Sequence, residues 1–212
     1  MSFPLMPTSG TNYSLPSLQF VTSVTTSANN TTYTFSAVSI GTAASDRFVV
    51  ATVHGHHASS IVMTSATIGG VAATILAQNY ATTIIMAYVP TGTTADVVVT
   101  FSGLEGRCSI SIYSLTGRSL DYVVDAKTSQ FTTAAGSVTI VPTHTDCVVV
   151  AASTFESSSA VAWTNATEAF DALAESGTVH SSAYVSTAVN GNLTVTCTGS
   201  ANLATIVAVA FS

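Results

Sequence analysis

Apolar and polar residues alternate with a period of two along many short stretches of this chain. Between Asp96 and Phe101, for example, Val97, Val99 and Phe101 fall on one face and the residues between them on the other. This period is that of a half-buried β-strand. The stretches predicted as strands are 32–40, 48–54, 65–68, 72–77, 83–89, 96–101, 108–115, 137–141, 147–154, 160–164, 167–173, 180–187, 193–198 and 204–211.

Turn residues separate these stretches at short intervals. Gly69-Gly70 lies between Ile68 and Val71 and predicts a tight hairpin, because glycine accepts positive φ at both central positions without steric cost. Residues 90–94 and Asn190-Gly191 mark further hairpins. Residues 168–174 have a helical composition but align with a strand of the first half, and we interpret them as a strand. Short strands with frequent turns predict antiparallel sandwiches.

The second half of the sequence resembles the first, which predicts an internal duplication. A single four-residue deletion between Val53 and Ala66 explains the change of spacing from 100 to 96 positions. The clearest matches are Val38-Ser39-Ile40 with Val138-Thr139-Ile140, 100 positions apart, and Ala87-Tyr88-Val89 with Ala183-Tyr184-Val185, 96 positions apart.

The predicted fold class is therefore all-β, with two tandem duplicated antiparallel sandwiches of the immunoglobulin-like or jelly-roll type. Three prolines in polar surroundings make residues 1–16 an extended N-terminal arm. The first sandwich is expected over 17–118 and its duplicate over 131–212. Residues 119–130, the most charged stretch, are expected to connect them as a linker or an inter-domain strand.

Composition narrows the functional classes. Charged residues form 7% of the 212-residue chain, against about 25% in an ordinary soluble domain. The surface is therefore expected to carry hydroxyl and small apolar groups, which suits a protein that is buried in an assembly. Four basic residues and a net charge of −6 disfavour nucleic-acid binding. No continuous apolar run predicts a membrane span, and the N-terminus lacks the pattern of a signal peptide.

Little in the sequence indicates a catalytic or metal site. His54 and His56 fall on one side of an extended chain and could bind a metal, but they equally fit a polar strand end that runs into a loop. No nucleophile motif or carboxylate pair is recognisable, so we predict no enzyme and assign no catalytic, cofactor or metal residue. A Cys147–Cys197 disulfide is left open.

Aromatic residues could instead bind sugars. Trp163 has no match in the first half and is a candidate for an exposed stacking platform. Tyr88 and Tyr184 match one another in mid-strand positions, for which packing is the favoured interpretation.

Residues 65–74 and 89–103 resemble a pattern common in structural proteins of tailed bacteriophages. They are also similar to hairpins of immunoglobulin-like transcription-factor (IPT/TIG-type) domains of bacterial surface proteins. The resemblance covers about half of the first copy. It implies a sandwich used for attachment or decoration, with no catalytic residue to carry over.

From these features we expect a non-enzymatic structural component of a phage virion: a capsid decoration, head-fibre or tail-attached protein. Its partners would be other virion proteins, with homo-oligomers expected. Phe3, Leu5 and Met6 are the candidate assembly residues of the arm. The alternative is a carbohydrate-binding or adhesin module that attaches to host-surface glycans. The position on the particle, the stoichiometry and the receptor are not specified by the sequence.

Overall fold

The computed structural model describes residues 15–56, 61–117, 123–156, 160–175, 177–200 and 203–212, and every regular element in them is a β-strand. The predicted all-β class is confirmed. The strands of the first half are β1 (Ser17–Thr26), β2 (Asn30–Ser39), β3 (Phe48–Gly55), β4 (Met63–Ile68), β5 (Val71–Ala72), β6 (Thr74–Asn79), β7 (Thr82–Tyr88), β8 (Thr94–Glu105) and β9 (Cys108–Thr116). Those of the second half are β10 (Asp125–Phe131), β11 (Ala135–Ile140), β12 (Cys147–Phe155), β13 (Ala162–Thr164), β14 (Thr167–Glu175), β15 (Thr178–Val189), β16 (Leu193–Thr198) and β17 (Ala204–Phe211).

Each half contains two antiparallel sheets. Inner sheet 1 has the order β1-β9-β3-β7-β6, and outer sheet 1 has the order β2-β8-β4-β5. Inner sheet 2 has the order β10-β17-β12-β15-β14, and outer sheet 2 has the order β11-β16-β13. The two inner sheets have the same order of corresponding strands, and the outer sheets correspond as far as both extend.

The turns form where the sequence predicts them. Gly69 and Gly70 have φ values of 60° and 78°, and they join β4 to β5 in the tight hairpin expected from the glycine pair. Gly191 has a φ of 103° between β15 and β16. The predicted alternation of β8 is also present, since Val97, Val99 and Phe101 are all buried.

Among the described residues, three hydrophobic clusters hold four layers of sheet together. The first joins outer sheet 1 to inner sheet 1 and includes Phe35, Phe101 and Ile112. The second does the same in the second half and includes Ile140 and Phe155. The third lies between the two inner sheets. The inner strands β3, β9, β12 and β17 are therefore buried on both faces.

The register of the strands agrees with the proposed duplication in some places only. Val49 pairs with Ser114, and Val149 pairs with Ala210, which preserves the spacings of 100 and 96 positions. Tyr88, however, pairs with Phe48, whereas Tyr184 pairs with Val150, two positions beyond the residue that matches Phe48. The tandem duplication remains a prediction, and the repeated strand order supports it.

One strand, β1, lies where the sequence predicted none, and another, β10, lies where a linker and an inter-domain strand were both left open. β1 forms one edge of inner sheet 1, where it pairs with β9. β10 forms the corresponding edge of inner sheet 2, so residues 125–130 of the expected connecting segment belong to the sheet itself. Neither edge strand is deeply buried: β1 has one buried residue, Leu18, and β10 alternates between half-buried and exposed positions.

One buried cation closes a corner of the first half. Arg47 has no solvent exposure and lies just before β3. Its guanidinium donates hydrogen bonds to the carbonyl oxygens of Val89 at 2.8 Å and of Ile40 at 3.4 Å. It also donates to the carbonyls of Gly41, Thr91 and Gly92 at 2.8 to 2.9 Å. The side chain thus joins the loop before β3 to the loop after β7.

Candidate functional site

The two halves meet through the facing surfaces of their inner sheets, and we call this contact the junction. One part of the junction is apolar. There Val50, Met86 and Tyr113 of inner sheet 1 share a buried cluster with Val150 and Val209 of inner sheet 2. The Tyr113 hydroxyl donates a hydrogen bond to the Ser182 Oγ across the junction at 2.9 Å.

The other part of the junction is polar and consists mainly of hydroxyl groups. The Thr82 Oγ1 lies 2.7 Å from the Thr205 Oγ1 and donates to the Thr154 Oγ1 at 2.8 Å. The Ser182 Oγ donates to the Ser111 Oγ at 2.9 Å. All five residues are buried. Because each hydroxyl has a partner on the opposite sheet, the polar part is closed to water without leaving these groups unsatisfied.

His54 of β3 and His180 of β15 stack face to face within this polar part. Their ring centroids are 5.3 Å apart, with 19° between the ring planes, and both residues have no solvent exposure. The His54 Nδ1 lies 3.3 Å from the Thr154 Oγ1, and its Nε2 lies 3.2 Å from the Thr52 Oγ1. The His180 Nδ1 lies 2.7 Å from the Ser109 Oγ, and its Nε2 lies 3.1 Å from the Gly55 carbonyl oxygen.

Burial keeps both rings neutral. It lowers the pKa of His54 to about 3, against a small raising effect from the Ser153 backbone. It also lowers the pKa of His180 well below its usual value, and the proximity of His54 and Arg107 lowers it further. Desolvation disfavours the charged form of an imidazole in this way whenever no carboxylate compensates it.

The histidine cluster and the threonine cluster occupy corresponding positions in the two halves. In strand order and register, His54 corresponds to Thr154, His180 to Thr82, and Ser109 to Thr205. The His180–Ser109 contact in one cluster is thus repeated as the Thr82–Thr205 contact in the other, each at 2.7 Å. The junction therefore has an approximate twofold arrangement. His54 and His180 carry imidazoles at positions where the corresponding residues of the other half, Thr154 and Thr82, carry hydroxyls.

A buried carboxylate lies beside the histidine cluster. Glu105, the last residue of β8, has no solvent exposure, and neither carboxylate oxygen has a hydrogen bond of ordinary geometry to the described residues. Burial raises the pKa of Glu105 to about 7, although the His56 backbone and the Arg107 charge both act to lower it. Gly55 makes room for the carboxylate, since a Cβ there would lie 2.9 Å from the Glu105 Cδ.

The structure separates the two histidines of the proposed metal pair. His54 lies inside the junction with both ring nitrogens bonded, whereas His56 follows the end of β3 and is half-buried. Binding a metal would require His54 to give up its threonine partners. The described residues contain no group of three metal-ligating side chains.

The contact between Ser109 and His180 has the length expected of a nucleophile and its base. Both side chains are fully enclosed, and the Ser109 Oγ also lies 3.0 Å from the Thr25 Oγ1. The pair therefore joins β9 to β15 and is shielded from solvent by the described residues.

The aromatic candidates differ in their exposure. Trp163, proposed as an exposed platform, is partly buried against the second core, and its indole N–H donates to the Ser181 Oγ at 2.8 Å. Tyr184 packs on the junction, as expected for a packing role. Tyr88 is 46% exposed. Its ring borders a shallow depression of about 440 Å³ that Ala43, Ala44, Ser45, Pro90 and Thr91 also line.

Cys108, Cys147 and Cys197 are free, buried thiols, which answers the question left open about a disulfide. The candidate assembly residues Phe3, Leu5 and Met6 lie outside the described residues.

The junction was missed by sequence reasoning. The feature of the sequence that could have indicated it is the lack of alternation in strands such as β3. Residues 48–53 of that strand are all apolar or hydroxylated, and all of them are buried or half-buried.

The fold and the junction together define an all-β protein of stacked antiparallel sheets. Comparisons with family models, with curated proteins and with solved structures each found no match to this chain. In the part of the chain that the structure describes, no helix is long and apolar enough to cross a membrane.

Proposed function

We propose that the protein is a non-enzymatic structural component of a phage virion, of the capsid-decoration, head-fibre or tail-attached type. The observation that supports this proposal most is the low charge of the two outer sheets, in whose described strands Asp96 is the one exposed charged residue. On outer sheet 1, the Thr32 and Thr100 hydroxyls bond to each other at 3.1 Å. On outer sheet 2, Thr139 and Thr194 do the same at 2.9 Å. Faces of this kind lose little charge solvation when neighbouring subunits cover them.

The placement of the polar chemistry supports the same proposal. His54, His180, Ser109 and Glu105 are all buried in or beside the contact between the halves. These side chains contribute to the stability of the stacked sheets and are not accessible to a substrate in solvent. A protein of this design offers its partners surfaces and edges, as a lattice or fibre component does.

The N-terminal arm is the proposed docking element. It leads into β1, the edge strand of inner sheet 1, which pairs with β9 on one side and with no other strand of the described residues. Edge strands can accept an added strand from another chain, so arm and edge together provide a means of joining subunits without charged contacts. Phe3, Leu5 and Met6 would supply the apolar anchors.

The experiment compares incorporation of two variants into particles. A Phe3→Ser, Leu5→Ser, Met6→Ser triple variant is expected to reduce the copies per purified particle at least tenfold, while its thermal unfolding midpoint stays that of the wild type. A Thr8→Ser, Ser9→Thr variant of the same arm is the control and should incorporate normally. Equal incorporation of the triple variant and the control would refute the docking role of the arm.

The second candidate function is a carbohydrate-binding or adhesin module. The depression beside Tyr88 favours it, because an exposed aromatic ring next to Pro90 provides an apolar surface on which a sugar ring could stack. Tyr88→Ala should then abolish retention on a glycan array, and Tyr184→Ala, whose ring is packed in the junction, is the matched control. An array on which the intact protein binds no glycan would count against this function.

A further inference from the structure

The histidine stack joins two separately cored halves of the chain. Both rings point away from the cores, since the strand neighbours Val53 and Val179 belong to the apolar clusters inside the two halves. His54 belongs to inner sheet 1 and His180 to inner sheet 2, and their rings face each other at 5.3 Å. A charge on either ring would therefore destabilise the junction more directly than it would destabilise either core.

The groups that face the stack are uncharged. Those that contact the rings are Thr52 on β3, Ser109 on β9, Thr154 on β12 and Phe170 on β14. Thr82 on β7 bonds to Thr154 and to Thr205 on β17, which are also uncharged. None of them can compensate a positive charge as a carboxylate would.

Ionisable groups lie at the end of the stack and on its far side. Arg107 and His56 are close enough to oppose a positive charge on His180. Glu105 lies beyond Gly55, whose carbonyl oxygen contacts His180. Asp171 pairs in register with Ser181, the neighbour of His180, and so falls on the opposite face of inner sheet 2.

We propose that the stack of His54 and His180 is an acid-sensitive latch, which holds the two halves together while both rings are neutral and weakens the junction when either ring takes up a proton. A protonated ring would have to keep its positive charge in a closed, hydroxyl-lined contact. It would also repel Arg107. This inference concerns the stability of the stack itself and holds whether or not the protein is a virion component.

The sign of the effect follows from the two states of the chain. In the unfolded chain each imidazole takes up a proton below about pH 6.5, whereas in the folded protein it stays neutral to much lower pH. The unfolded state therefore binds more protons, and the stabilising contribution of the neutral rings is lost as the pH falls below about 6.5. Each ring raises the unfolding equilibrium constant by up to about tenfold for each unit by which the pH falls.

Glu105 acts in the opposite direction. Its pKa is raised to about 7 by burial, so the folded state binds its proton more tightly than the unfolded state between about pH 4.5 and 7. Acidification through this range lowers the unfolding equilibrium constant by up to about tenfold per pH unit. The effect of the two imidazoles is larger than that of the single carboxyl. We therefore expect the unfolding equilibrium constant of the wild type to rise about tenfold as the pH falls from 6 to 5.

The test measures urea unfolding by circular dichroism at pH 7.5, 6.5, 6.0, 5.5 and 5.0. The double variant His54→Gln, His180→Gln keeps a donor and an acceptor at each position but cannot titrate. Its unfolding equilibrium constant is expected to stay level or to fall on acidification, because Glu105 then acts alone. Each single variant should have an intermediate slope.

Two controls separate the latch from a merely structural role. His144→Gln changes an exposed histidine and should leave the wild-type pH dependence unchanged. Thr205→Val alters the corresponding threonine cluster and should raise the unfolding equilibrium constant by the same factor at every pH. A double histidine variant with the same slope as the wild type would overturn the proposal.

Nuclear magnetic resonance of the wild type provides a second measurement if the double variant fails to fold. The ring Cε1–H signals of His54 and His180 should not shift between pH 7.5 and 5.5. If either buried ring titrates in the folded protein with a midpoint near pH 6.5, the latch is refuted, because folding would then not displace the proton equilibrium.

Discussion

Replacing Arg47 with methionine should destabilise the protein more than any change of a surface cation. Methionine has a similar length but no charge and no donors, so the carbonyl oxygens that face Arg47 would remain in place without their partner. The Val89 and Ile40 carbonyls are buried. Those of Gly41, Thr91 and Gly92 lie nearer the surface, where water can replace the guanidinium.

The magnitude follows from the two buried acceptors. Leaving a buried acceptor unsatisfied costs about 1 to 3 kcal/mol, and the longer 3.4 Å contact to Ile40 contributes the lower value. The expected loss is about 3 kcal/mol in the free energy of unfolding, or about a hundredfold in the equilibrium constant. For a chain of this size the thermal midpoint should fall by about 6 to 12 °C.

Urea unfolding followed by circular dichroism gives the measurement, with Lys127→Met as the matched control. Lys127 is 43% exposed and pairs with Asp125 at 2.6 Å, so its removal should cost less than about 1 kcal/mol. An unchanged dependence on urea concentration would show that the Arg47 variant is destabilised and not restructured. A loss below about 1 kcal/mol for Arg47→Met would refute the reasoning, because the carbonyls would then be satisfied without the guanidinium.

Three further predictions concern the junction and its border. Gly55→Ala should destabilise the protein by about 1 to 3 kcal/mol in the same assay, since the added Cβ would lie 2.9 Å from the Glu105 Cδ. Tyr113→Phe should cost about 1 kcal/mol through loss of its hydrogen bond to Ser182, and a cost equal to that of Tyr88→Phe would contradict it. Glu105→Gln should stabilise the protein by about 2 to 3 kcal/mol at pH 8, where the raised pKa of about 7 makes the ionised carboxyl unfavourable. That gain should shrink as the pH falls through 7 and vanish below about 4.5, so a gain that is independent of pH would disprove it.

The sequence predicted the strands that alternate and the turns that contain glycine. β16 and β17 begin and end at the predicted residues, and Gly69-Gly70 forms the expected hairpin. It did not predict β1, and for the segment that contains β10 it left a linker and an inter-domain strand open. These are edge strands, and because they pack on one sheet neighbour and are partly covered, their apolar residues follow no clear period.

The low charge of the chain was interpreted as a property of its surface, and part of that interpretation is wrong. Many of the hydroxyl residues are inside, among them Thr52, Thr82, Ser111, Thr154 and Ser182. A four-layer stack has three buried contacts between sheets instead of one for each sandwich, so it needs fewer charged residues to cover it. Thr32 and Thr139, in contrast, are exposed on the outer faces.

The sequence by itself determined the all-β class, most strand positions and the tight turns, because these depend on the period of the side chains and on local backbone freedom. Only the tertiary structure decided that the two inner sheets pack on each other. That contact brings His54 within 5.3 Å of His180, a residue from the other half. The same hydroxyl or imidazole can satisfy its hydrogen bonds with water or with a facing strand, and the sequence does not distinguish the two. The facing sheet supplies those partners and excludes water. The polar residues at the ends of these strands are therefore buried in the junction.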